Sequence, residues 1–280
     1  MKFSFTKMQG CANDYIYLDC RASGVPENIV PLARKLSARH FSVGADGIIC
    51  ICAPETPGAD GTMRIFNADG SEAQMCGNGI RCVGKYVYEK GYVAKTTLPV
   101  ETLSGVKTLT LSVTDGRVDS VTVDMGAVSV SAPRTLTAAG QTVTVTPVSV
   151  GNPHAVVFTA DAAAAPLTTL GAALERHVAF PGGVNVEFVQ VLSPTALRMR
   201  VWERGSGITL ACGTGACASV AAAVAAGYCP PDTAVTVTLD GGDLQVRLTP
   251  EGRAIMTGPA AFVCEGEVDT ECMPTSITRN

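Results

Sequence analysis

Apolar and polar residues alternate one by one over long stretches of this chain. KTLTLSVTDGRVDSVTVD from Lys107, TVTVTPVSV from Thr142, AVTVTLDGGDLQVRL from Ala234 and RAIMTG from Arg253 all have this period of two. It predicts half-buried β-strands, with hairpin turns at Asp115-Gly116 and Gly241-Gly242. GIICIC, starting at Gly47, is a continuous apolar run read as a buried strand, with Cys50 and Cys52 as packing residues. Helical spacing is confined to four places: PLARKLSARH from Pro31, PLTTLGAALERH from Pro166, and the segments that follow Cys76 and Cys212. The segment after Cys76 is amphipathic, with Arg81, Lys85 and Glu89 on one stripe and Ile80, Val83 and Val87 on another. The one after Cys212 is apolar all round, so a helix there is expected to be buried on every side. Many strands and few helices predict an α+β fold, mainly antiparallel.

The pattern occurs twice. AQMCGNGIRCVGKYVYEKGYV from Ala73 overlays TLACGTGACASVAAAVAAGYC from Thr209 without a gap. Cys76 and Cys212, Gly79 and Gly215, Gly91 and Gly227, and Tyr92 and Tyr228 each lie 136 residues apart. RIFN at Arg64 and RVWE at Arg200 keep that spacing. Further upstream, Asn13 matches Asn152 and Asp46 matches Asn185, now 139 apart, which a small loop change explains. Two pseudo-symmetric halves follow: residues 1–116 with 263–280, carrying Cys76, and residues 117–262, carrying Cys212. Each is expected to be a curved sheet around a central helix, with the active site in the cleft between them. The tail EGEVDTECMPTSITRN either frays or adds, at its start, a last strand to the first half.

Composition narrows the function classes. At 280 residues, 46% apolar and 16% charged, the chain can bury a large core. A net charge of −4 without a basic cluster argues against nucleic acid as a partner. No apolar segment is long enough for a membrane span, and the N-terminus lacks a signal-peptide h-region, so a cytoplasmic protein is expected. Eleven cysteines without a secretion signal argue against a disulfide scaffold. The close pairs Cys50/Cys52, Cys76/Cys82 and Cys212/Cys217 do not give zinc-ligand spacing, and no nucleotide-binding glycine motif is present. Neither a metal nor a cofactor is expected.

Cys76 and Cys212 are different from the other thiols because each stands just before a helix. There a sulfur meets unpaired backbone N–H groups and the positive end of the helix dipole. Lowering a thiol from about 8.5 to about 7 takes roughly 2 kcal/mol, and a helix terminus supplies about 0.3–1, up to about 2 in a partly buried site. The flanking glycines, Gly77/Gly79 and Gly213/Gly215, let a ligand carboxylate approach the N–H groups. Two such termini can hold one carboxylate with a thiol on each side of the adjoining carbon. One thiolate then removes a proton while the opposite thiol delivers one, inverting the configuration without a cofactor. The competing readings are structural cysteines or a redox pair. Cys82 and Cys217 point away from the cleft at helical spacing and are read as core.

FNADGSEAQMCGNGIRC, GNPHAVVF, NVEFVQV and WERGSGITLACGTGACAS occur in this order over nearly the whole chain. Together they closely resemble the diaminopimelate epimerase family. The resemblance implies cofactor-independent interconversion of LL- and meso-diaminopimelate, in lysine and peptidoglycan precursor biosynthesis, by a two-domain homodimer. It makes Cys76 and Cys212 the acid–base pair and the turns Gly77-Asn78 and Gly213-Thr214 the carboxylate cradle. Asn13, Asn67, Asn152, Asn185, Glu203 and Arg204 would engage the substrate, with His154 and Glu203 as a pair that steadies the reacting ammonium and tunes the thiols. Proline-type racemases share the fold and a similar second motif, and a non-catalytic or redox protein on this fold is the alternative from another class. Gln9, Ala12 and Tyr15 depart from the family's His-Gly-x-Gly-Asn-Asp-Phe opening. Gly47 stands where many members have Gln, and Ile208 where Glu is frequent.

Overall fold

The alternating stretches are strands in the computed structural model, which describes residues 2–269. The chain forms two units, residues 2–122 with 259–269, and residues 123–258. In the first, β1 (Lys2–Gly10) turns into β2 (Asn13–Asp19), and helix α1 (Ile29–Ser37) carries the chain to β3 (Gly47–Cys52). Next come β4 (Gly61–Asn67), the short β5 (Glu72–Ala73), helix α2 (Gly77–Glu89), β6 (Thr97–Glu101), β7 (Lys107–Thr114) and the start of β8 (Arg117–Ala127). The β2–β3 and β4–β6 pairs are parallel, because a helix separates their strands in sequence; β1–β2, β3–β4 and β6–β7 are antiparallel. The strand Ala261–Asp269 pairs antiparallel with β1, Lys2 opposite Asp269. The start of the C-terminal stretch is thus a strand on β1, and residues 270–280, where fraying is the other expectation, lie outside the described residues.

The second unit repeats this connectivity. After β9 (Ser129–Val130) and β10 (Arg134–Ala138) come β11 (Gln141–Ser149), β12 (Pro153–Phe158), β13 (Asn185–Ser193), β14 (Ala196–Glu203) and β15 (Gly207–Thr209). The helix Gly213–Ala225 then leads into β16 (Val235–Leu239), β17 (Gly242–Leu248) and β18 (Arg253–Gly258). Here too the pairs bridged by helical crossovers, β12–β13 and β14–β16, are parallel, and β13–β14, β16–β17 and β17–β18 are antiparallel. PLTTLGAALERH is not one regular helix. Pro166 O accepts from both Leu170 and Gly171 N–H, which widens Leu167–Gly171 to a π-turn before a short α-helical turn, Ala172–Glu175. Both units follow the layer logic of a curved sheet packed on a helix.

The two central helices meet their surroundings differently. In Gly213–Ala225, Gly213 and Gly215–Ala223 are buried, as an all-apolar segment requires. In α2 the polar stripe reaches water only at Lys85 and Glu89, which are part-exposed. Arg81, the first residue of that stripe, is fully buried. Its guanidinium donates to Gly77 O and Asn78 Oδ1 (both 3.1 Å), to Pro259 O (3.0 Å) and to Cys11 Sγ (3.6 Å). These acceptors fix the first turn of α2 against the β1–β2 turn. Replacing Arg81 by Met removes these hydrogen bonds from the interior, at about 1–3 kcal/mol for each buried group that loses its partner. The expected result is a drop of several degrees in the thermal unfolding midpoint, read by calorimetry, with no change for the exposed control Arg117→Met.

Candidate active site

Each of the two cysteines is a helix N-cap with extended backbone, φ −137° at Cys76 and −123° at Cys212. In both, Sγ accepts from the N–H of the second glycine, Gly79 or Gly215, at 3.3 Å. The sulfur thus takes the place of a Ser or Asp capping oxygen. The glycines are dictated by space. A Cβ on Gly79 would lie 2.5 Å from Ile49 Cδ1, and one on Gly215 2.8 Å from Glu187 Oε1 and 3.2 Å from Cys212 Sγ.

Around Cys76, β1 and β2 deliver Asn13. The connecting turn is Cys11-Ala12, both with positive φ (54° and 63°), and Gly10 is paired with Asn13. The turn geometry is one that Gly and Asn adopt without strain and Ala does not. Ala12→Gly is therefore expected to raise stability by about 1 kcal/mol, visible as a higher denaturant midpoint at constant m-value. Asn13 Nδ2 donates to Asp46 Oδ2 at 2.7 Å, which turns its Oδ1 toward Cys76 Sγ, 3.4 Å away. Tyr15 is buried beside them. Burial, then the negative charge of Cys76 and of Asp46, pushes its phenol well above the usual range, so it stays a donor. Asn67 Nδ2 donates to Ser71 Oγ (3.1 Å), and Asn78 Oδ1 is taken by Arg81. Gly47 has no room for the family's Gln: a Cβ there would lie 2.3 Å from Phe66 O.

Around Cys212 the neighbours are more acidic. Glu203, at the end of β14, accepts from Thr209 Oγ1 and from the Cys212 thiol. Burial raises the Glu203 carboxylate, and the Glu187 charge raises it further. Cys212 is buried, and its thiol is pushed well above the usual range, first by burial and then by the Glu203 and Glu187 carboxylates. The sequence expectation that the helix terminus draws both thiols toward neutrality therefore fails at Cys212. Hydrogen bonds from Gly215 N–H and the Thr214 hydroxyl do lower it, but desolvation and two carboxylates outweigh them. His154, expected beside Glu203, has a different carboxylate as its direct partner: Nδ1 lies 2.7 Å from Glu187 Oε1. Its Nε2 is 3.0 Å from Asn152 Oδ1, and Asn152 Nδ2 donates to Thr214 Oγ1 at 3.3 Å.

Asn185 and Arg204 are tied to each other through the backbone. Asn185 Oδ1 accepts from Arg204 N–H at 2.8 Å, and Arg204 Nη1 donates to Gly182 O at 3.0 Å, with the side chain exposed. Two supporting acids escaped the sequence reading. Glu175 accepts from Trp202 Nε1 (2.7 Å) and Gly205 N–H (2.9 Å), bonds that keep its carboxylate below the usual range and pin the loop bearing Arg204. Glu187 is the other; a lone acid in the apolar run NVEFVQV is a signal that the repeat, matched to the apolar first-half strand, obscured. Among the described residues no group of three or more His, Cys, Asp or Glu is arranged to hold a metal ion, and no helix is long and apolar enough to cross a membrane.

Comparison with known proteins decides the family. The diaminopimelate epimerase model matches residues 5–131 and 146–263. The chain belongs to that family, and so to the isomerases. It is 47% identical to the diaminopimelate epimerase of Bacillus cytotoxicus over 280 residues, covering 95% of this chain and 96% of that one. The Phocaeicola vulgatus diaminopimelate epimerase is 49% identical, covering 95% and 98%. Among solved structures, a probable proline racemase from Agrobacterium radiobacter superposes with a TM-score of 0.72 at 19% identity, over 96% of this chain and 93% of that one. A hydroxyproline epimerase from Agrobacterium vitis gives 0.71 at 19%, over 95% and 92%. At that identity the likeness establishes the shared fold.

Proposed function

We propose that this chain interconverts LL- and meso-diaminopimelate with Cys76 and Cys212 as its two bases, supplying lysine and peptidoglycan precursors. The observation that carries the mechanism is the repeated N-cap: two thiols, each bonded to the N–H of a glycine one turn into its helix, at 3.3 Å in both cases. In this reading the backbone N–H groups of Gly77-Asn78 and Gly213-Thr214 hold the carboxylate of the reacting centre. Charge released on deprotonation spreads into that carboxylate, where donors are already aligned. One sulfur takes the α-proton and the other returns a proton to the opposite face; the stereoisomer bound decides which does which. Asn13, Asn67, Asn152 and Asn185 offer donors and acceptors to the ammonium groups without adding net charge. The exposed guanidinium of Arg204 suits a bidentate bond to the distal carboxylate. His154 and Glu203 lie on the Cys212 side and set its electrostatic surroundings. We further place the enzyme in the cytoplasm as a homodimer acting without a cofactor, as the family implies.

Proton NMR of the reduced protein with LL-diaminopimelate in D2O tests the reading directly. Loss of the α-proton signal together with appearance of the meso isomer is the expected result. Exchange with proline or hydroxyproline and none with diaminopimelate would overturn the substrate assignment.

A further inference from the structure

Glu187 has no part in the mechanism above, yet it is fully buried near the start of β13. Its Oε2 has no hydrogen-bond partner among the described residues. A buried carboxylate with one oxygen unpaired is expensive, and an apolar residue would suit the strand better. The first half shows that alternative. Where Glu187 Oε1 stands over Gly215, the residue standing over Gly79 is Ile49. The acid is therefore not demanded by the helix–sheet packing that the two halves share.

Its contacts form a directed chain. Glu187 Oε1 lies 2.7 Å from His154 Nδ1, and His154 Nε2 lies 3.0 Å from Asn152 Oδ1. Asn152 Nδ2 donates to Thr214 Oγ1 at 3.3 Å, and Thr214 Oγ1 lies 3.6 Å from Cys212 Sγ. Because Asn152 presents its oxygen to the ring, Nε2–H donates to it, and Nδ1–H donates to the Glu187 carboxylate, so the ring is fixed as a donor between two acceptors. Because Asn152 presents its N–H to Thr214, the hydroxyl keeps its own proton free to point at Sγ. We infer that Glu187 is a positioning residue, which acts through His154, Asn152 and Thr214 to aim a hydroxyl donor at the sulfur of Cys212. That donor joins Gly215 N–H on the same sulfur and favours the thiolate left after Cys212 gives up its proton. The charges acting on Cys212 include Glu203 from β14 and Glu187 from β13, with His154 from β12 bonded to Glu187, so the carboxylate of Glu187 also acts on the thiol as a charge.

This builds on the acid–base reading of Cys212, and the test separates the two. Glu187→Gln removes the charge but supplies an amide N–H able to bond Nδ1 of a neutral, Nε2-protonated ring; Glu187→Leu removes the charge and the hydrogen bond. Three readouts apply: kcat and KM, the 15N shifts of the His154 ring, and the pH dependence of iodoacetamide labelling at Cys212, followed by mass spectrometry. The Gln variant is expected to label Cys212 at lower pH than the parent, since a neighbouring negative charge is gone, and the Leu variant, which also loses the aimed donor, at higher pH than Gln. Gln should keep the Nε2-protonated ring and kcat within about threefold, whereas Leu should lose the fixed tautomer and about tenfold in kcat, with KM unchanged. If the Gln variant, folded, shows the parent's labelling curve, and His154 keeps its tautomer in the Leu variant, the inference is overturned. Labelling and ring shifts do not depend on turnover. Full activity in a Cys212→Ala protein would instead sink the acid–base reading and leave the chain of contacts standing.

Discussion

Replacing either Cys76 or Cys212 by serine is expected to lower epimerisation by about 10²–10⁴-fold, the usual contribution of a general acid or base. The geometry should survive the change. Each sulfur accepts from one glycine N–H at 3.3 Å, and a serine oxygen is itself a favoured N-cap acceptor, so the unfolding midpoint should move little. What is lost is acidity, since an alcohol neither gives nor takes a proton near neutral pH as a thiol does. The two variants should also differ in a way that the parent cannot show. With one thiol left, a proton can still be removed from the face it serves and returned to that same face. In D2O each variant should then exchange the α-proton of one stereoisomer only, without inversion, and the two variants should choose opposite isomers. Exchange of both isomers by a single variant would mean that a different group is the second base.

Gly215→Ala is expected to be nearly as damaging, although it adds one methyl group to a helix. That carbon would lie 2.8 Å from Glu187 Oε1 and 3.2 Å from both Cβ and Sγ of Cys212. Glu187 cannot swing aside cheaply, because His154 holds the same oxygen. The strain is relieved by displacing the thiol, and a shift of about 1 Å at a reacting group can cost about 10²-fold in rate. Gly79→Ala provides the contrast. There the obstacle is Ile49 Cδ1 at 2.5 Å, while Cys76 Sγ would stand at 3.6 Å, an ordinary contact. Gly79→Ala should therefore cost mainly stability, as an overpacked core does, by about 1–3 kcal/mol, and Gly215→Ala mainly kcat. Steady-state kinetics and thermal unfolding of the two proteins side by side decide this; equal kinetic losses would show that the second glycine serves only its N–H.

The sequence by itself determined a good deal. Period-two alternation identified β7, β8, β11, β16, β17 and β18, and the gapless repeat placed a cysteine and a glycine pair at the head of two equivalent helices. Those features are local: alternation and N-capping are properties of neighbouring residues, so they can be read without knowing what packs where. The repeat also misled, because it makes the two halves look chemically equal. Only tertiary structure decided that Arg81, polar by spacing, is buried among Gly77, Asn78, Pro259 and Cys11. Only tertiary structure gave His154 its bond to Glu187, on a strand far along the chain, and set two carboxylates against Cys212 with the burial that raises its thiol. A pKa depends on every charge and dipole within a few ångströms, and those neighbours come from β12, β13 and β14, which approach one another only in the folded sheet.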